Sequence, residues 1–365
     1  CMMEKQKRDS GIECLRLLAV WGIAIIHTFG PYYDTATGTN LVFGVAANSI
    51  FNAGVTVFEI ISGYFGIKTS SSKLHHFWWV ATFCSLFALV ISCIEGYAVG
   101  PMSLLRALFP IPTRMYWFAT CYFVLMIFAP TINKLTEELS AMNFLKILAV
   151  LVCLFYLMPT VFGDGVMNDS GKGLANMIVA YCVGRFLRKV NVKISRGWCF
   201  LFLAIAIIIN LVPNFVLSFM KPIGIYAPFA RDCSITILIL SIALFLLFNG
   251  FQFQSSVINR IAKHSLAMYL VGGASRGILN FFVDITSYET TWVFGIVIMI
   301  YCIGSMLICL LIDIIRGWIF DPIEASAFQV FSRISVNMRS HIIKKLDKMN
   351  KRFGFKETET EVRDL

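Results

Sequence analysis

The chain has 365 residues, 58% of them hydrophobic and only 14% charged, a composition that excludes an ordinary soluble domain. Its formal net charge is +10, yet no separate basic domain stands out, so nucleic acid is not an expected partner. The eleven cysteines form no Cys-x-x-Cys pair, which leaves zinc and dithiol redox chemistry without a motif and makes most of them apolar packing residues.

Apolar runs of about 20 residues read as bilayer spans. Ten are predicted, at 12–31, 42–66, 76–99, 115–133, 144–162, 173–187, 198–219, 232–250, 264–283 and 291–319. The sixth, interrupted by Asn176 and Tyr181, is short and reads as tilted or partly re-entrant. Lys5, Lys7 and Arg8 precede the first run, and alternate connections are rich in Lys and Arg, notably Arg185, Arg188, Lys189, Lys193 and Arg196. The other connections hold only Arg106, Arg114, Lys172, Lys221 and Arg231. That bias places the N-terminus in the cytoplasm. The expected fold is an all-α integral membrane protein, a single bundle of about ten transmembrane helices with both termini cytoplasmic and the lipid bilayer as its partner. Residues 1–320 form the membrane-embedded domain and 321–365 a cytoplasmic basic amphipathic tail. Arg16 inside the first run argues for a retained helix rather than a cleaved leader.

The first run carries Arg16 and His27, eleven residues apart. Eleven steps of a helix come to about three turns and ~16 Å of rise, so both side chains leave the same face. Ionisable groups inside a membrane segment are costly and mark working sites. A permanent cation and a group that exchanges protons near neutral pH suggest an anion-holding end and a proton-transfer end. In the second run Asn48, Asn52, Glu59 and Gly63 fall within one helical face. Glu59 lies between Arg16 and His27 in depth. A catalytic role for it competes with a structural Arg16–Glu59 ion pair.

Lys68 and Lys73 follow the second run; ordinary positive-inside topology accounts for them as well as ligand binding does. After the Pro110-Ile-Pro112 turn, Arg114, Tyr116 and Trp117 open the fourth run. They suit stacking on a sugar, or equally an interfacial aromatic belt. The loop 163–173 reads as a polar surface loop or a lid. The ninth run bears a stripe of Ser265, Tyr269, Gly272, Arg276 and Asn280. Arg276 faces a cavity there, or pairs with Asp284 or Asn280. In the tail, Phe331, Ile334, Met338, Ile342 and Leu346 form one apolar helical face, the pattern of a membrane-surface helix. Residues 356–365 read as disordered.

Several of these segments resemble one family. Ile12-Glu-Cys-Leu-Arg-Leu-Leu-Ala through His27 is similar to the opening Arg-x10-His motif of the acyltransferase-3 family of membrane-bound O-acyltransferases. Phe58-Glu-Ile-Ile-Ser-Gly-Tyr-Phe resembles its Phe-Phe-x-x-Ser-Gly-Tyr/Phe segment. Tyr116-Trp-Phe-Ala-Thr-Cys-Tyr-Phe, ending in Ala129-Pro-Thr-Ile-Asn, is similar to its Trp-Phe-x-x-x-Tyr…Pro-x-x-Asn helix, and His264-Ser-Leu-Ala-Met-Tyr-Leu to its Ser-Leu-x-x-Tyr-Leu segment. The matches run in family order over residues 8–320. The chain departs from the family in two places. Only Lys68-Thr-Ser-Ser-Ser-Lys73 stands where a denser basic cluster is common, and Gly272-Gly273 where a histidine often follows Tyr-Leu.

The resemblance implies transfer of an acyl group, commonly acetyl, from acyl-CoA to a hydroxyl of an envelope saccharide, that is, O-acetylation in the plasma membrane. It implies no permanently bound cofactor and no metal. His27 would then be the general base, with Arg16 and Glu59 as its catalytic companions. Lys68, Lys73, Ser62 and Tyr64 would bind the donor. Trp117, Tyr116, Arg114, Arg276 and Asn52 would bind the acceptor. A transporter or flippase of an envelope saccharide is the alternative, since intramembrane charges also line transport paths.

Overall fold

A computed structural model describes residues 9–163, 166–192 and 194–353, with side chains as far as residue 330 and at Ser332. Among them every regular element is helical. In chain order the helices are α1 (Ser10–Phe29), α2 (Gly38–Phe51), α3 (Ala53–Phe65), α4 (Ser71–Ile94), α5 (Pro101–Leu108), α6 (Trp117–Glu138) and α7 (Ala141–Val152). They continue with α8 (Met158–Phe162), α9 (Leu174–Val190), α10 (Arg196–Phe219), α11 (Ile235–Asn249), α12 (Ser256–Ala262), α13 (Ser265–Asn280) and α14 (Phe294–Phe353).

Each of the ten apolar runs contains a helix. Among the described residues, seven helical stretches are long and apolar enough to cross a membrane: Ser10–Tyr32, Gly38–Phe65, Ser71–Ile94, Trp117–Glu138, Ala141–Phe162, Arg196–Phe219 and Phe294–Val330. The other three runs form α9, α11 and α13, which have 17, 15 and 16 residues.

Helix ends follow local chemistry. Asp9 caps α1 by accepting from the Gly11 N–H at 2.9 Å, and Gly30-Pro31 close it. The second run is two helices, α2 and α3, divided at Asn52, whose side-chain amide donates to the Ala230 carbonyl. Pro130 sits inside α6, where its ring cannot donate to the carbonyl four residues back. That carbonyl, Met126, accepts from the Thr69 hydroxyl instead. Pro159 likewise leaves the Phe155 carbonyl free within the π-helical turn Cys153–Leu157, and Asn176 of α9 donates to it at 2.9 Å. Asn176 is thus a backbone partner within a regular helix, not a re-entrant break.

The chain divides into two units at Asp313 and Ile314, slightly ahead of the expected 320/321 boundary. In the first unit, Leu15, Ile60, Val183 and Phe245 join α1, α3, α9 and α11 in one core, while Val20, Ala81, Ala119 and Ala274 join α1, α4, α6 and α13 in another. Within the second unit Arg316 pairs with Asp321 at 2.9 Å. The helix continues through Pro322 to Phe353. The apolar tail face expected from Phe331 to Leu346 involves side chains outside the described residues, as does the segment 356–365.

Candidate functional site

The α3–α9 crossing sets the frame of the site. A Cβ on Gly63 would fall on the Tyr181 carbonyl, and one on Gly184 on the Ile60 carbonyl, so the two backbones touch. The Ser62-Gly63-Tyr64 glycine therefore serves helix packing. Its neighbours in the motif diverge. Ser62 faces a cavity and shares a 3.1 Å hydrogen bond with the Tyr122 hydroxyl. Tyr64 is buried away from that cavity, its ring tilted against Phe245 and covered by Arg188.

Beyond α3, the chain turns at Gly66 (φ 71°) and is clamped by the Pro-x-x-Asn end of α6. Asn133 donates to the Ile67 carbonyl at 3.1 Å, and Tyr181 donates to Asn133 at 2.7 Å while accepting from the Ile67 N–H at 3.0 Å. This clamp delivers the start of α4, with Ser72, Lys73 and His76, to the same cavity as Arg16.

That cavity holds about 590 Å³. Arg16, Ser62, Lys73 and Tyr122 supply its polar wall, and Phe58, Phe77, Phe118 and Met126 its apolar one. The Arg16 Nε is buried without a hydrogen-bond partner among the described residues. Lys73 crosses back to donate to the Lys68 carbonyl at 2.6 Å. Lys68 itself is exposed and lies off the cavity wall.

A second cavity, of about 400 Å³, opens around His27. Its wall includes Tyr33, Asn48, Asn52, Trp117, Lys172, Arg231 and Asp232. His27 is exposed to this space, and no hydrogen bond holds its ring among the described residues. Ile23, Val55 and Tyr269 line both cavities. The two spaces are therefore neighbours on either side of these three side chains, the neck, with Arg16 on one side and His27 on the other.

The loops around the second cavity are tied down. Arg231 donates to the Pro228 and Pro159 carbonyls at 2.9 Å each and also to the Gly163 carbonyl. Gly171 (φ 84°) presses its backbone on Asp232 and Cys233, where no side chain would fit. Burial pushes the carboxyl of Asp232, in the loop ahead of α11, up to about 6; the Lys172 ammonium pulls in the other direction.

The structure thus brings Arg16, Ser62 and Lys73 together, and His27, Asn52 and Trp117 together. It separates the remaining expected site residues from both walls. Glu59 is only 4% exposed and has no ion pair with Arg16 or any other described cation. Of the polar face expected of the second run, Asn48 and Asn52 meet the His27 cavity, while Glu59 and Gly63 do not. The Tyr116 hydroxyl is buried without a partner among the described residues and lines neither space. Arg114 donates to the Lys172 carbonyl at 2.8 Å and so acts on the site through the loop.

Arg276 lines neither cavity. Its expected partners are engaged elsewhere, Asn280 accepting from Tyr301 at 2.7 Å and Asp284 from Thr286 at 2.9 and 2.6 Å. Tyr33, Lys172, Arg231 and Asp232 were not among the expected site residues; they sit at helix ends or in loops, which only the folded chain assembles.

Over residues 9–334 the chain matches the acyltransferase-3 family, described as an acyltransferase domain. The chain belongs to that family. No curated protein and no solved structure matches the chain. On this acyltransferase-3 chain the family-like segments converge. The Arg-x10-His helix spans both cavities, Ser62 and Tyr122 meet on one wall, and Tyr269 stands at the neck.

Proposed function

We propose that the protein transfers an acetyl group from acetyl-CoA, entering from the cytoplasmic side, to a hydroxyl of an envelope saccharide held in the His27 cavity. In this reading ten helices span the plasma membrane and both termini are cytoplasmic, as the Lys and Arg asymmetry implies. The observation that carries it is the neck: Arg16 and His27, on one face of α1, open into two spaces that share Ile23, Val55 and Tyr269.

The chemistry fits the separation of the two groups. Arg16, with its buried and unpartnered Nε, and Lys73 hold the anionic part of the donor at the wide end. The thioester reaches the neck along an apolar wall. The acceptor oxygen attacks the thioester carbon while His27 takes the hydroxyl proton. The carbon–sulfur bond then breaks, and the imidazolium returns the proton to the departing sulfur, releasing CoA as the free thiol. Trp117 and Asn52 line the acceptor space.

Purified protein reconstituted in vesicles with labelled acetyl-CoA tests this directly. His27→Ala should lower turnover by about 10²–10⁴, and Arg16→Ala should act mainly on apparent donor affinity. Wild-type turnover in the His27→Ala protein would remove the catalytic reading.

A further inference from the structure

The His27 cavity has an unbalanced charge. Among the described residues of its wall, Lys172 and Arg231 face Asp232 as the only carboxylate. Arg231 spends its donors on three backbone carbonyls, which fix the guanidinium without cancelling its charge. Lys172 is the movable cation. Among the described residues no carboxylate is within ion-pairing distance of its ammonium, while its backbone is held on both sides. The Lys172 N–H donates to the Asp169 carbonyl at 2.9 Å, and Arg114 donates to the Lys172 carbonyl at 2.8 Å.

Another acid, Asp169, stands nearby but off the described cavity wall; its carboxylate keeps its charge while accepting from the Gly171 N–H at 2.9 Å. Gly171 in turn presses on the Asp232–Cys233 backbone. The loop that carries Lys172 is thereby fastened to the cavity wall. A cation anchored at the rim of a partly desolvated cavity, beside a second cation that cannot move, favours a ligand of opposite charge.

We infer that the acceptor carries an anionic group, a carboxylate or a phosphate ester, which Lys172 binds while Trp117 lies along the ring. This deepens the acyl-transfer reading and rests on it for the identity of the ligand as acceptor. An uncharged sugar would leave the Lys172 ammonium with water as its only partner.

Calorimetry on the full chain in detergent, without donor, separates the two readings. The probes are an oligogalacturonate, its carboxyl-reduced neutral counterpart, and the same neutral sugar bearing a phosphate ester. At least one anionic probe should bind about tenfold tighter than the neutral one, the gain expected of a charge-assisted hydrogen bond. The preference should shrink with added salt. Lys172→Met should bring the preferred anion down to the affinity of the neutral probe, and Lys172→Arg should restore most of the preference. The stronger of the two anions identifies the group.

Equal binding of all three probes, absence of binding, or a preference that survives Lys172→Met overturns the proposal. Because no donor is present, these outcomes are independent of turnover. A chain that prefers the anion but acetylates nothing would contradict the acyl-transfer reading and leave the anion site standing.

Discussion

Asp232 and His27 share one cavity but differ in what surrounds them. His27 opens into the cavity without a hydrogen-bond partner among the described residues. Asp232 is 7% exposed, and burial holds its carboxyl near 6 against the pull of Lys172. The described charged or titratable groups near it are Lys172, Arg231, Asp169 and, from α3, Glu59, with His27 on the same wall. Lowering the pH from about 7.5 to about 5.5 therefore adds a proton to Asp232 and removes one negative charge from the cavity. Affinity for an anionic probe should rise severalfold across that interval, and Asp232→Asn should flatten the rise. An unchanged pH profile in the Asp232→Asn protein would show that another group titrates. Arg16 and His27 were legible in the sequence because helical geometry alone puts them on one face. Lys172 and Asp232 were not, because their meeting depends on the distant Gly171 backbone lying against Asp232 and Cys233.

At the scale of the helix, the family-like segments divide between packing and chemistry. Ser62 and Tyr122 line a cavity, while Gly63, Pro130 and Asn133 hold backbones together. Gly63→Ala should push α9 from α3 and loosen Tyr181 from the Ile67 turn, at a cost of about 1–3 kcal/mol. Thermal unfolding in detergent should show a lower midpoint and activity should fall with it; an unchanged midpoint would mean the crossing relaxes without loss. All ten apolar runs contain a helix because hydrophobic length is a strong signal. The break at Asn52 carried no such signal. Asn is tolerated inside a helix, and only the contact of its amide with the Ala230 carbonyl reveals the division. The Glu59–Arg16 pairing failed for a related reason: equal depth on two helices does not set the rotation of each about its own axis.

Across the whole molecule, the Arg16 cavity and the His27 cavity lie on either side of the Ile23, Val55 and Tyr269 neck. In the proposed topology Arg16 lies toward the cytoplasm and His27 toward the opposite face. Donor and acceptor are therefore expected to enter from opposite sides, meeting only at the neck. Vesicles containing the protein in one orientation test this most directly, with labelled acetyl-CoA confined to the side that carries the Arg16 cavity and an impermeant acidic oligosaccharide confined to the other. Labelled acetyl ester should accumulate on the oligosaccharide without either substrate crossing, and His27→Ala should stop it. Transfer that occurs only when both substrates share one side would contradict the account.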